Sequence, residues 1–263
     1  MEVAAAQLPE RGTDDWVFPT PRGLVVLDGA TSHTPGTPPA SDYVRHLGRH
    51  LAHQLDSTAP LPQVLRVSIA ATAADLHLIR GKAPSSTVVL VRVGKASVEV
   101  LVLGDSCAVV GFRDGTHRTI TDTRLSQLDL AEAQTYRARL AAGADFDQHH
   151  RELLGQLQQR ERQHRNRSGG YWIAEADPNA ADHALCKIFP RDRVSWVIAA
   201  TDGASDTLAA LEVSWPQIAN HTSAQLHDEL DRCEAWEAET DPRGRILPRS
   251  KRHDDKTLAV LRL

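Results

Sequence analysis

The chain has 263 residues, room for one large domain or two small ones, with 24% charged residues and a formal net charge of −4. That balance excludes a chain drawn as a whole to nucleic acid or to an acidic membrane surface, and the apolar runs are strand-length, too short to span a bilayer. The three cysteines, Cys107, Cys186 and Cys233, are widely spaced with no CxxC pair, which argues against a disulfide framework or a structural zinc and fits a reducing cytoplasm.

The N-terminal stretch MEVAAAQLPERG carries an early acid and no basic region ahead of an apolar run, so it does not read as a secretory signal. ERGTDDWVF follows and brings Asp14 and Asp15. LVVL (24–27) is a buried strand by length and β-branched content, and it ends in Asp28-Gly29. The loop TSHTPGTPPAS leads to a helix capped by Ser41, with Val44, Leu47, Leu51 and Leu55 at helical spacing. A second helix is expected near 62–80, with Leu65, Ile69, Ala73, Leu76 and Ile79 on one face.

TVVLVRV (87–93) and SVEVLVL (97–103) then read as strands. Ala108–Arg113 and Thr116–Ile120 flank Asp114-Gly115, a hairpin signal. Consecutive short strands with tight turns predict an antiparallel sheet. Residues 125–142 look helical and stop at Gly143. The segment 147–167 is polar, basic and weakly periodic, and Ser168-Gly169-Gly170 breaks it; residues 143–190 are read as an insertion over one end of the core of a single domain spanning 1–263. VSWVIAA (194–200) is a strand, Thr222 and Gln225 form a capping box for a helix through Leu226, Leu230 and Cys233, and TLAVLRL is a terminal strand.

The acids recur at strand edges. Asp28, Asp105 and Asp202 lie just after apolar strands, and Asp254 lies just before one. In an antiparallel arrangement the end of one strand neighbours the start of the next, so all four can share one edge. Two carboxylates about 4 Å apart repel by roughly 4 kcal/mol at an effective dielectric near 20. Such a cluster calls for cations, and oxygen-rich sites suit Mg²⁺ or Mn²⁺.

In this order the motifs resemble the type 2C metal-dependent serine/threonine protein phosphatases over most of the chain. The residues that carry the likeness are Asp14-Asp15, Asp28-Gly29, Ser86-Thr87, Gly104-Asp105-Ser106, Arg113-Asp114-Gly115, Thr201-Asp202-Gly203-Ala204-Ser205-Asp206 and Asp254-Asp255. The resemblance implies an αββα sandwich, two antiparallel sheets face to face with helices outside. It implies that Asp28 bridges two ions, that Asp202 and Asp254 complete the first, and that the Gly29 carbonyl with Asp14 or Asp15 serves the second. Asp105, shared with Asp202, resembles the ligand of a third, weaker ion. Asp28, Asp202 and Asp254 would then be the catalytic acids. Two ions about 3.5–4 Å apart can hold one water and lower its pKa toward about 7, for in-line attack on a phosphomonoester.

The chain departs from the pattern in places. Asp14 stands where the family has Glu, and Asp255 where it has Asn. Bacterial members often carry an arginine four residues before the acidic pair; here that position is Glu10, with Arg11 one place off as the candidate for the substrate phosphate. His33, in the loop after Asp28, is a candidate proton donor or a solvent-facing histidine. The segment 143–190 is unlike the family flap, so the substrate does not carry over. Arg160–Arg167 lacks interleaved aromatics and reads as a solvated helix face, not a nucleic-acid site. Tyr171 and Trp172 are either a substrate wall or a flap anchor. The expectation is a cytoplasmic, bacterial-type phosphatase of phosphoserine or phosphothreonine in a protein, using two Mn²⁺ or Mg²⁺ ions, with Asp105 as the candidate ligand of a third. A catalytically dead binding module and a phosphatase of small metabolites are the alternatives.

Overall fold

The computed structural model describes residues 1–30 and 36–263, so His33 lies outside the described residues. In chain order the strands are β1 (Glu2–Leu8), β2 (Asp15–Thr20), β3 (Gly23–Ala30), β4 (Ser85–Val93), β5 (Ser97–Leu103), β6 (Cys107–Phe112), β7 (His117–Thr121), β8 (Leu185–Pro190), β9 (Val194–Ala200) and β10 (Lys256–Arg262). They form two five-stranded sheets, ordered β1-β10-β9-β6-β7 and β2-β3-β4-β5-β8. Neighbouring strands pair antiparallel throughout. The helices are α1 (Ala40–Leu55), α2 (Leu61–Asp75), α3 (Ala131–Ala141), α4 (Gln148–His164), α5 (Asp202–Ala210), α6 (Trp215–Ile218) and α7 (Ser223–Ala235).

The expected αββα layering follows from which side chains each strand buries. In β3, Leu24 and Val26 face the other sheet and pack with Val89, Val197 and Ala259. The alternate residues Val25 and Leu27 pack outward against Tyr43, Leu47 and Leu65 of α1 and α2. Burial on both faces is why this strand reads as an unbroken apolar run. On the opposite outer face, Ala204, Leu208, Leu226 and Leu230 of α5 and α7 cover Ile198 and Val260. The predicted capping box is present: Thr222 N–H donates to Gln225 Oε1 at 2.9 Å, and Gln225 N–H donates to Thr222 Oγ1 at 3.3 Å.

Several expectations are corrected. The first helix starts at Ala40 after Pro39, with no side-chain cap from Ser41. The second ends at Asp75, because His77 adopts φ 50°, and Ile79 is left 63% exposed. The four consecutive strands do not share one sheet. β4 and β5 lie in the second, β6 and β7 in the first, and the chain crosses between them at Gly104-Asp105-Ser106. Gly104 makes that crossing with φ 85°, and a Cβ there would lie 2.9 Å from Thr87 Cγ2.

Three strands escaped the sequence reading. β1 is alanine-rich and β2 carries a proline, so neither shows a β-branched run. β8 occupies 185–190, the last part of the expected insertion, as the edge strand beside β5. Ahead of it, α4 packs on α3 through Tyr136, Leu140, Leu153 and Leu157, a small core of its own. Among the described residues no helix is long and apolar enough to cross a membrane.

Candidate metal centre

Asp28 stands near the end of β3, directly opposite Asp15 on β2 and opposite Thr87 on β4. Its alternation with Leu24 and Val26 puts its carboxyl on the face between the sheets. Asp15 is fully buried, and its Oδ2 accepts from Thr201 Oγ1 at 2.9 Å and Thr257 Oγ1 at 2.8 Å, both on the other sheet's side. This carboxyl therefore ties the two sheets together at the edge where Asp28 emerges.

Asp202 begins α5, where the positive end of the helix dipole favours an anion. Only glycine fits next to it: a Cβ on Gly203 would lie 2.2 Å from the Asp255 carbonyl oxygen. That close approach sets Asp202 beside Asp254. Asp28 and Asp202 lie close enough for each to influence the other's titration. Asp105 enters from the crossing turn, which is pinned by a 2.6 Å hydrogen bond between Thr87 and Ser106 hydroxyls.

The electrostatics record the convergence. Asp28 holds its proton well above the ordinary carboxylate range, first through burial, then through the charges of Asp15, Asp202, Asp254 and Asp105. Burial and then Asp254 raise Asp202. Asp105 is pushed up to about 7 by burial and by Asp202. Asp15 also rises to about 7, with burial outweighing the hydrogen bonds from Thr257 and Thr201.

The remaining predicted residues are placed differently. Asp14 meets the site through its backbone: its carbonyl accepts from Gly29 N–H at 3.1 Å, and its N–H donates to Asp255 Oδ2 at 2.7 Å. Asp255 also accepts from Thr13 Oγ1 at 2.9 Å, so the extra acid after Asp254 frames the 13–14 segment. Arg11 is exposed on the turn between β1 and β2.

The sequence matches the family model for protein phosphatase 2C over residues 13–235. The chain belongs to the protein phosphatase 2C family. Membership makes it a metal-dependent serine/threonine phosphatase. Solved structures share the fold at low identity. A bacterial serine phosphatase is 13% identical, covering 99% of this chain and 96% of its own, with a TM-score of 0.59. Stp1 from Staphylococcus aureus is 12% identical over 100% and 95%, with a TM-score of 0.58. The catalytic domain of the phosphatase PstP, solved with two manganese ions, is 16% identical over 98% and 96%, with a TM-score of 0.51. No protein of curated function matches the sequence.

The donor set fits a hard divalent cation of the kind this phosphatase family uses. It is all oxygen, and burial, reinforced by the charges of the neighbouring carboxyls, keeps protons on its acids when no cation offsets them. Among the described residues no group of three or more His, Cys, Asp or Glu side chains is drawn into a ready-made cage. Without an ion, mutual repulsion opposes such closure.

An ammonium stands beside the cluster instead: Lys251 Nζ lies 2.6 Å from Asp254 Oδ1. Burial works against its charge, but Asp254, Asp28 and Asp255 overcome this and raise its pKa above the ordinary lysine value. Sequence reasoning missed Lys251, although its place three residues before Asp254 was a visible signal. It named Asp206 within the Thr201–Asp206 motif without giving it a role, although burial and Asp202 push it up to about 6, and it passed over Glu161, pushed up to about 7 by burial. Tyr171 and Trp172 line a narrow crevice with Asp105 and Asp122. Trp172 also stacks on His183 with ring centroids 3.4 Å apart, a contact that ties the 171–172 segment to the turn ahead of β8.

Proposed function

We propose that this phosphatase hydrolyses phosphoserine or phosphothreonine in a protein substrate at the Asp28–Asp202–Asp254 cluster. Asp28, Asp202 and Asp254 would hold Mn²⁺ or Mg²⁺, the Gly29 carbonyl with Asp14 or Asp15 would serve a second ion, and Asp105 with Asp202 a third. Bound divalent ions supply a nucleophilic hydroxide at neutral pH by lowering the pKa of coordinated water toward about 7, and they offset charge on the phosphoryl oxygens.

The chain's own residues do the positioning. Asp15, gripped by Thr201 and Thr257, locks the sheet edges in register. Gly203 lets Asp202 reach the Asp254 segment. Lys251 neutralises part of the cluster through Asp254, a carboxyl that would otherwise be free to hold an ion. Arg11, exposed on the turn between β1 and β2, is the candidate to receive the substrate phosphate. The whole chain acts as one phosphatase unit, with 143–190 over the site, in the cytoplasm.

The observation that carries this reading is the convergence of carboxyls from β3, the Gly104–Ser106 turn, the start of α5 and the segment before β10. The test is hydrolysis of p-nitrophenyl phosphate by the purified chain. Turnover is expected with Mn²⁺ and is abolished by chelator. No turnover above background with either Mn²⁺ or Mg²⁺ would favour a binding module. Faster turnover of sugar phosphates than of a phosphothreonine peptide would move the substrate to small metabolites.

A further inference from the structure

A second polar cleft, of about 290 Å³, lies beside the crevice at Asp105. Tyr171 joins the two: it lines the Asp105 crevice, and its hydroxyl accepts from Arg165 Nε at 3.1 Å. The cleft is walled by Arg80, Arg162, Arg165 and Arg167, with Asn166 and Glu175. Two of these charges are answered locally. Arg80 Nη2 pairs with Asp177 Oδ2 at 2.8 Å, and Arg165 Nη1 lies 4.0 Å from Glu175 Oε1. Arg162 and Arg167 form no ion pair among the described residues, so the cleft keeps two unopposed positive charges. Glu161, which feels Arg165, is not part of the cleft wall.

Asn166 adds a donor. It is 5% exposed and holds φ 51° in the turn that ends α4. Its Oδ1 accepts from Ile173 N–H at 2.9 Å, which fixes the orientation of the amide. Its Nδ2 is consequently a donor, buried and without a hydrogen-bond partner among the described residues. Buried donors are ordinarily satisfied, so an unmet one in a cationic cleft points to an anionic acceptor.

Guanidinium forks match phosphoryl oxygens in pairs, and a phosphate monoester carries about −1.5 to −2 at neutral pH, which the two free arginines balance. We propose that this cleft is a second phosphoryl subsite. It holds a phosphate group on the substrate peptide other than the one being hydrolysed, through Arg162, Arg165, Arg167 and the Asn166 amide. The peptide as occupant rests on the proposed protein-phosphatase reading and on the continuity through Tyr171 to Asp105. The substrate class is therefore a segment phosphorylated at two neighbouring residues.

The test measures binding of fluorescent peptides to the full chain in chelator, so the readout stands whether or not the metal-dependent reaction occurs. The peptide with two phosphothreonines is expected to bind about tenfold more tightly than the same peptide with one. Arg162→Ala with Arg167→Ala should erase that difference while leaving the thermal melt unchanged. Asn166→Asp, which keeps the acceptor for Ile173 and replaces the donor, should weaken only the two-phosphate peptide. Equal binding of both peptides, or a preference that survives the arginine changes, overturns the proposal. So does saturation by inorganic phosphate at the peptide's own concentration range, which would make the cleft a site for the free ion.

Discussion

Asp15 and Asp28 sit opposite each other on neighbouring strands, an arrangement that destabilises a sheet when both are ionised. The protein tolerates it because burial and mutual repulsion keep protons on these groups. In the unfolded chain such acids titrate near 4, whereas Asp15 and Asp105 in the folded protein reach about 7. Across that window the native state binds more protons, so stability falls as pH rises and levels off above the folded values. Urea unfolding in chelator is therefore expected to show a higher midpoint at about pH 5.5 than at about pH 8. Asp202→Asn removes one charge from the repelling set. It should shrink that difference, leave the metal-free protein as stable or more so, and abolish phosphatase activity. A large loss of metal-free stability would instead make Asp202 a structural residue.

The loop ahead of β10 is where an element depends on a buried network. Glu237, on the turn after α7, accepts from Lys256 Nζ at 2.9 Å, His253 Nδ1 at 3.0 Å and Thr207 Oγ1 at 2.8 Å. Lys256 is 1% exposed and also donates to the Asp254 carbonyl at 3.0 Å. The network thereby holds the backbone at Asp254 against α5. Removing one partner strands a buried charge, so Lys256→Met is expected to cost about 3–5 kcal/mol. The reading is a shift in urea midpoint at constant slope, and a cost near zero would show that the pair does not anchor the segment. At this scale the sequence was legible where one signal dominates. The stripe Val44–Leu47–Leu51–Leu55 and the Thr222–Gln225 box needed no tertiary help. β1, by contrast, is a strand because β10 lies beside it in register from Leu8–Lys256 to Glu2–Arg262, not because EVAAAQL favours one.

For the molecule as a whole, metal and folding are linked. An ion that binds the native cluster and not the unfolded chain stabilises by about 2.7 kcal/mol at a hundredfold excess over its Kd. Mn²⁺ should accordingly raise the melting temperature, chelator should reverse the rise, and Asp202→Asn should flatten it. A melt unmoved by Mn²⁺ or Mg²⁺ would mean that the carboxyls do not close on an ion. By itself the sequence determined antiparallel strands, the strand edges and the acids that mark them, because periodicity and turn chemistry are local; the αββα layering was implied only by the family resemblance of its motifs. Only the tertiary structure decided how those edges meet. It split the four central strands between two sheets, set Asp15 as a tie between them and placed Lys251 on Asp254. It also brought Arg80 and Glu175 up to the Arg162–Arg167 run to close a cleft, which a basic run read as a solvated face does not disclose. The reason is that burial and charge pairing are properties of neighbours in space, and a chain folded into two sheets takes those neighbours from distant segments.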